Sequence, residues 1–231
     1  MSVFRSCGLL ACLFVLTPVA AGAQNERPRY QGREVAPVMS YLGADWLERP
    51  DRDREENTSL LLDLLPVAPG NTIADLGCGS GYFARRLASR VGPKGTVLCV
   101  DVQPEMLEIA ERLSREEGVQ NVRMVRAEAS DPRLAEGGVD LILLVDVYHE
   151  LQQPGPMLEH MRRALAPGGL VALVEYRAEG DTARHIRPEH RMSVEQVLRE
   201  WLPAGFELEK QIDDLPTQHL FLFRAATKST P

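Results

Sequence analysis

A ten-residue segment at positions 73–82, IADLGCGSGY, combines an acidic residue with three closely spaced glycines. Asp75 precedes Gly77, Gly79 and Gly81 in a D-x-G-x-G-x-G pattern. Glycines let the backbone turn tightly and approach a ligand, and a helix that begins after them presents free N–H groups. The pattern differs from the G-x-G-x-x-G of folds that bind the pyrophosphate of a dinucleotide.

Two carboxylates indicate which ligand this loop would accept. Asp75 lies at the end of one predicted strand, where its carboxylate would repel a pyrophosphate but could bind the ammonium group of an amino acid, directly or through water. Asp101 ends the next predicted strand, 20 residues beyond Gly81, where a carboxylate can accept both hydroxyls of a ribose. Together they favour a nucleoside joined to an amino acid, with positive charge and no phosphate.

A second group of reactive side chains, Asp146, Tyr148, His149 and Glu150, follows the apolar run VDLILLV at positions 139–145. A histidine has an ordinary pKa of about 6.5 and can remove a proton from a reacting group. Packing beside a substrate pocket explains His149 equally well, and Asp146 either lines such a pocket or takes part directly. We take Asp146, Tyr148 and His149 as the candidate catalytic residues.

The elements that must position these residues alternate between strand-like and helix-like segments from Ser59 onward, which is typical of βαβ units. Several strand-like segments are continuous apolar runs, as expected where helices cover both faces of a parallel sheet. We therefore predict a doubly wound, mostly parallel α/β sheet with helices on both faces. Strands are predicted at Thr72–Leu76, Thr96–Asp101, Val122–Arg126, Val139–Val145, Gly169–Tyr176, Phe206–Ile212 and His219–Arg224, and helices at Leu60–Leu65, Tyr82–Val91, Pro104–Glu117, Met157–Ala166 and Val194–Pro203.

Segments around this domain have less specific patterns. Residues 24–57 are polar, and apolar residues within 35–47 at helical spacing predict an amphipathic helix that covers the domain at 58–226, before a disordered tail at 227–231. Trp46 and Tyr41 could close a pocket from this side or simply pack. A basic loop after the fifth strand is interpreted as solvated surface, with a substrate lid as the alternative; it contains His185, Arg187, His190 and Arg191.

Composition limits the classes of protein. A chain of 231 residues is one ordinary domain, and its net charge of -7 disfavours a nucleic-acid partner, because binding phosphates needs a surplus of Lys and Arg. After removal of a leader only Cys78 and Cys99 remain, and we expect two buried, unpaired thiols. Neither C-x-x-C nor H-E-x-x-H spacing occurs, so we predict no metal site. The oligomeric state is left open.

The first 23 residues resemble a secretory signal peptide. A weakly basic start precedes an apolar run from Cys7 to Val19, and Ala21-Gly22-Ala23 offers a small-x-small cleavage site. We therefore expect export to the periplasm or the medium, with no stable membrane span after processing. A retained membrane anchor and a lipoprotein site at Cys12 are the alternatives.

Residues from about 70 to 177 resemble the class I S-adenosylmethionine-dependent methyltransferases. The glycine loop, Asp101, the segment AEA at 127–129, VDLILLVDVYHE at 139–150 and ALAPGGLVAL at 164–173 carry the resemblance. It implies strand order 3-2-1-4-5-7-6, with strand 7 antiparallel, and S-adenosylmethionine at the carboxyl ends of the strands. The implied cofactor-binding residues are Asp75, Gly77, Cys78, Gly79, Gly81, Asp101, Val102, Glu128, Ala129 and Val145.

In that reading Asp101 holds the ribose, Val102 flanks the adenine, and Glu128 and Ala129 contact its edge. Glu128 stands where the family more often has Asp. Asp146 lacks the Pro-Pro-Tyr continuation of many amino-group methyltransferases, so we expect a small-molecule or exposed-group acceptor. The alternatives are a non-catalytic S-adenosylmethionine-binding protein and a nicotinamide-dependent oxidoreductase.

Overall fold

The computed structural model describes residues 27–227. The predicted signal peptide at 1–23 lies outside these residues, as does most of the predicted tail. Within the described range, none of the helices combines the length and the apolar character that crossing a membrane requires.

A seven-stranded sheet forms the centre of the molecule. Its strands lie in the order β3-β2-β1-β4-β5-β7-β6, and β7 runs antiparallel to both β5 and β6. The predicted order and direction are therefore confirmed. An additional two-residue strand, Arg191–Met192, pairs in parallel with the end of β5. The strands are β1 (Thr72–Leu76), β2 (Thr96–Asp101), β3 (Val122–Arg126), β4 (Val139–Val145), β5 (Leu165–Arg177), β6 (Phe206–Ile212) and β7 (Gln218–Ala225).

Helices cover both faces of this sheet. Pro104 opens one helix at its first turn, and the Ser193 hydroxyl caps another by accepting the backbone N–H of Gln196 at 3.1 Å. The described helices are α1 (Ala44–Leu47), α2 (Arg52–Glu56), α3 (Thr58–Leu64), α4 (Tyr82–Val91), α5 (Pro104–Glu116), α6 (Pro154–Ala164) and α7 (Val194–Trp201). Short 3-10 turns occur at Tyr41–Gly43, Tyr148–Glu150 and Pro188–His190.

Several predicted boundaries differ from the structure by one to three residues, and two differences are larger. The helix expected within 35–47 is confined to the 3-10 turn at 41–43 and α1, and the preceding residues run along the domain without helical structure. β5 begins at Leu165, four residues before its predicted start at Gly169, because Leu165 already pairs with Val139 before the register shifts.

The core consists of two layers, one on each face of the sheet. Successive residues of a strand point to opposite faces, so Ile73 packs with α3, α4 and α5, whereas Ala74 packs with α6 and α7. Both layers contain large, fully buried side chains, among them Leu87 in the first and Trp201 in the second. The rigid carboxyl edge of the sheet lies between these layers and positions the site.

Cys78 and Cys99 form a disulfide, with their Cα atoms 5.4 Å apart, so the prediction of two unpaired thiols is wrong. β1 and β2 are adjacent, and Asp75 is in register with Cys99. The glycine loop then folds back over β2, where the Cys78 N–H donates to the Val100 carbonyl at 3.1 Å. This return of the chain brings together two cysteines that are 21 residues apart.

Candidate functional site

A cavity of about 890 Å³ lies at the carboxyl ends of β1, β2 and β4. The carboxyl edge is where open α/β sheets bind their ligands. Its size is near the upper end of the range for small-molecule sites, about 300–1,000 Å³, so it can hold a nucleoside cofactor and a small second molecule. Residues from the glycine loop, from the ends of β2 and β4, and from the loops that cover the edge form its walls.

Gly77 and Gly79 line this cavity through their backbone. Both have positive φ angles, of 72° and 52°. A Cβ atom on Gly77 would lie 2.3 Å from Cγ2 of Val147, and one on Gly79 would lie 2.6 Å from Cδ1 of Leu47. The positive φ angles favour glycine at both positions, and at Gly77 the close approach of Val147 adds a steric requirement.

Asp101 connects the glycine loop to the end of β2. Its Oδ2 atom accepts the backbone N–H of Gly79 at 3.0 Å, and Oδ1 accepts that of Gln103 at 2.8 Å. Burial raises the pKa of this carboxyl group, while the backbone donors oppose the shift. Asp101 and Val102 both line the cavity, and Val102 is 37% exposed. The hydrogen bonds from Gly79 and Gln103 thus fix the position of the carboxylate in the cavity wall.

Three predicted cofactor residues, Asp75, Cys78 and Gly81, do not line the cavity. Asp75 is 3% exposed, burial raises its pKa to about 7, and its Oδ2 atom has no hydrogen-bond partner in the described structure. Cys78 is held in the disulfide, and Gly81 turns the chain into α4. The cavity lining gives no direct support to the predicted contact of Asp75 with an ammonium group, and that contact stays a prediction.

The remaining predicted cofactor residues, Glu128, Ala129 and Val145, line the same cavity. The Glu128 carboxylate forms an ion pair with Arg133, and its backbone N–H donates to the Asp131 carbonyl at 2.9 Å. The Glu128 side chain is 61% exposed, so it can exchange this partner for a ligand.

Asp146 lies at the turn that follows β4 and lines the cavity. Its φ angle of 54° is unusual for a residue with a side chain. Oδ2 accepts from Nε2 of Gln218 at 2.8 Å, whereas Oδ1 is buried and has no partner within the described part of the chain. Burial, with the charges of Glu56 and Glu175, raises the pKa of Asp146 well above its ordinary value. Asp146 therefore offers a polar atom that a bound molecule could satisfy.

His149 lines the cavity and is 2% exposed. Its Nδ1 atom lies 2.6 Å from Oε2 of Glu175, and Nε2 lies 3.1 Å from Nδ1 of His190. Burial pushes the pKa of His149 down, but the charges of Glu175, Glu150 and Asp146 outweigh it and raise the pKa overall. Burial raises the pKa of Glu150 to about 7, and burial and His149 lower that of His190.

Tyr148 does not line the cavity, and its predicted catalytic role is not supported. The Tyr148 side chain is fully buried in the core layer that contains α6 and α7, and its hydroxyl donates to Oε2 of Glu200 at 2.7 Å. Arg33 completes this group, since its Nε atom lies 2.7 Å from Oε1 of Glu200. Tyr148 and His149 are adjacent in a 3-10 turn, so their side chains leave in different directions.

Sequence reasoning missed several cavity residues. His185, Arg187 and His190 line the cavity; His185 and Arg187 are also exposed, as the interpretation of a solvated loop expects, whereas His190 is half-buried. Trp46 also lines it, as one of the predicted alternatives for this residue requires. Other lining residues that were not predicted as site residues include a group from the N-terminal segment and one residue just after β2: Pro37, Val38, Met39, Ser40, Leu47, Arg52 and Gln103. Most of them belong to irregular segments or to the ends of short helices, and no local motif marks them.

Comparisons with known proteins agree with this architecture. A family model described as "Methyltransferase domain" matches residues 68–216. The chain belongs to this family. Membership implies S-adenosylmethionine as the cofactor. One curated relative, the ubiquinone/menaquinone biosynthesis C-methyltransferase UbiE of Ectopseudomonas mendocina, is 30% identical over 52% of this chain and 47% of its own length. Another, the aklanonic acid methyltransferase DauC of Streptomyces sp., is 28% identical over 64% of this chain and 68% of its own length.

Among solved structures, a SAM-dependent methyltransferase from Aquifex aeolicus superposes with a TM-score of 0.75 at 24% identity. The match covers 82% of this chain and 100% of that one, and it supports the shared fold. The chain spans about half the length of the first curated relatives that it matches, 48% and 47%.

Proposed function

We propose that this protein is an S-adenosylmethionine-dependent methyltransferase that acts on a small-molecule acceptor. One observation carries the proposal: the same cavity is lined by the glycine loop and Asp101 and also by Asp146 and His149. Donor and acceptor can therefore lie side by side. Two relatives are named for aklanonic acid and for ubiquinone/menaquinone biosynthesis, which supports a small-molecule acceptor.

We call the wall formed by the glycine loop, the end of β2 and residues 127–129 the cofactor side. There, Asp101 accepts the two ribose hydroxyls, while Gly77 and Gly79 allow the methionine portion to lie against the backbone. Val102 and Val145 pack near the adenine ring, and Glu128 and Ala129 contact its edge. All of these residues line the cavity, which supports their assignment.

We call the wall formed by residues 146–150, the loop at 185–190 and the covering residues 37–47 the acceptor side. The acceptor atom forms a bond to the methyl carbon while the carbon–sulfur bond breaks, and the electron pair of that bond stays on sulfur. The products are a methylated acceptor, S-adenosylhomocysteine and one proton from the acceptor. Alignment of the two reactants provides most of the rate, so Asp146 and His149 act mainly by orienting the acceptor.

We also propose that the protein is exported. The signal-like segment at 1–23 motivates this, and the disulfide between Cys78 and Cys99 supports it, because disulfides persist in oxidising compartments. Fractionation of cells that express the full chain, with N-terminal sequencing, tests the proposal. Mature protein that starts near Gln24 outside the cytosol is the expected result. An unprocessed chain in the cytosol would refute it.

The activity is tested by incubating the purified protein with methyl-labelled S-adenosylmethionine and a panel of phenols, quinols, polyketides and thiols. We expect label in at least one acceptor, and a higher KM for the cofactor in Asp101→Asn. Asp214→Ala removes an exposed carboxylate that does not line the cavity, so it should leave both constants unchanged. Absence of cofactor binding, with the protein folded, would contradict the proposal.

A further inference from the structure

Three side chains on the acceptor side bring potential metal-binding atoms close together. Nε2 of His149 and Nδ1 of His190 are 3.1 Å apart, and Oε1 of Glu150 lies 3.9 Å from the first and 3.8 Å from the second. Among the described residues, this is the only group of three or more such side chains within 4.8 Å of one another. All three residues line the cavity.

Glu175 determines which nitrogen of His149 faces His190 and Glu150. Its carboxylate accepts a hydrogen bond from Nδ1 of His149 at 2.6 Å and another from the backbone N–H of the same residue at 3.2 Å. Glu175 is fully buried. A proton held on Nδ1 leaves the lone pair on Nε2, directed at His190 and Glu150. A carboxylate behind a histidine is the usual means of orienting a metal-binding imidazole.

We propose that His149, Glu150 and His190 bind a divalent transition-metal ion of the Zn²⁺ class. Two nitrogen ligands, each about 2.0–2.1 Å from such an ion, are separated by roughly 3.0–3.4 Å, which matches the observed 3.1 Å. The Glu150 oxygen must approach by less than about 1 Å, and a small side-chain rotation achieves this. Two imidazoles and one carboxylate suit Zn²⁺, Fe²⁺ or Mn²⁺ better than Ca²⁺ or Mg²⁺.

Three protein ligands leave coordination positions open, and here these positions face the cavity. Open positions distinguish catalytic metal sites from structural ones. The metal inference extends the proposed function, since the ion would bind the acceptor through a hydroxyl or thiol group and lower its pKa. The acceptor loses its proton to water, and its oxygen or sulfur then attacks the methyl carbon. We therefore infer an acceptor with a chelating or acidic hydroxyl or thiol group.

Metal binding is tested on the full-length protein, freed of metal by a chelator. Calorimetric titration with ZnCl₂ should show one equivalent bound, and CoCl₂ should give visible d–d absorption. His190→Ala should weaken Zn²⁺ binding at least 100-fold and abolish the cobalt spectrum. Glu175→Gln should weaken it by about 10- to 100-fold, because only the orientation of His149 changes. His160→Ala removes an imidazole elsewhere on the surface and should bind zinc as the wild type does.

Binding of S-adenosylhomocysteine is measured in the same samples to separate this inference from the proposed function. Affinity for this product that persists in His190→Ala shows that the variant is folded. Cofactor binding without stoichiometric zinc, or zinc binding that His190→Ala leaves unchanged, would overturn the metal site alone. Zinc binding that depends on His190, in a protein that does not bind the cofactor product, would instead overturn the proposed function.

Discussion

The two sides of the cavity are built by different means. The cofactor side consists mostly of backbone and short side chains from adjacent strand ends, tied by the Asp101 to Gly79 hydrogen bond and by the disulfide. The acceptor side is assembled from segments far apart in the chain. The difference teaches that cofactor binding depends on local backbone geometry, whereas the acceptor pocket depends on contacts between distant segments, which can change independently.

The salt bridge between Arg33 and Glu200 supports the acceptor side, because Arg33 also donates to the His149 carbonyl at 3.0 Å. The Glu200 side chain is completely buried, so Arg33→Ala leaves an unpaired charge. We expect the free energy of unfolding to fall by about 3–5 kcal/mol, measured by urea titration. Arg224→Ala breaks an exposed pair with Glu207 and should cost less than about 1 kcal/mol.

A folded Arg33→Ala protein should still bind S-adenosylhomocysteine with nearly wild-type affinity, because the pair lies behind the acceptor side. A large loss of this affinity, at a temperature where the variant is folded, would show that the two sides are not independent.

On the cofactor side, the disulfide closes a loop between residues 21 apart in sequence. Closing a loop of this length stabilises a protein by about 3 kcal/mol, chiefly by restricting the unfolded chain. Reduction should lower the free energy of unfolding by about that amount, measured with and without a phosphine reductant. The double variant Cys78→Ala with Cys99→Ala should not respond to the reductant. Equal stability of the oxidised and reduced wild type would contradict this role.

Asp75 should make the cofactor side sensitive to pH. Its pKa is raised to about 7 by burial from an ordinary value of 3.8; the Asp101 charge adds to the shift, while Arg52 and Arg85 oppose it. The folded state therefore binds the proton more tightly than the unfolded chain. The contribution of this carboxyl group to the free energy of unfolding is fully present below about pH 4 and is lost as the pH rises towards 7.

From pH 5 to pH 8, this carboxyl group should lower the free energy of unfolding by about 2.5 kcal/mol. Asp75→Asn stays neutral throughout and should lack this part of the decline. Urea unfolding at both pH values checks the prediction. Parallel pH dependence of the wild type and the variant would show that Asp75 is not buried as described.

Backbone geometry on the cofactor side is tested by Gly77→Ala. The residue has a φ of 72°, and its Cβ would meet Val147, whereas Gly118, with a φ of 71°, has open space beside it. Both variants carry the conformational cost of about 1 kcal/mol, and Gly77→Ala adds about 1–3 kcal/mol of steric overlap. Thermal unfolding should place Gly77→Ala below Gly118→Ala. Equal stability of the two variants would remove the argument from close approach.

Most of the fold could be predicted from the sequence. The boundaries of five strands are as predicted, and for β1, β2 and β4 the reason is that apolar runs between turn residues mark buried parallel strands directly. The glycine loop and Asp101 could be predicted for the same reason, since a contiguous motif carries their geometry. Asp75 is buried and does not line the cavity, and a pattern of residue types does not fix which way a strand-end side chain points.

The acceptor side could be predicted only in part. His149 and Asp146 follow a recognisable strand, but the approach of His190 depends on how the loop after β5 folds back, and no local pattern records that. The pairing of Cys78 with Cys99 was missed likewise, since it requires knowing that β1 and β2 are neighbours. Contacts between distant segments are set by tertiary packing, not by the residues beside them.

The central claim, that the cavity binds the cofactor through Asp101, is tested most directly by calorimetric titration with S-adenosylhomocysteine. We predict one site in the wild type and a loss of affinity of about 100-fold or more in Asp101→Ala, because two hydrogen bonds to a charged group are lost. Asp214→Ala should bind as the wild type does. A folded wild type that takes up no S-adenosylhomocysteine, or an Asp101→Ala protein of unchanged affinity, would contradict the account.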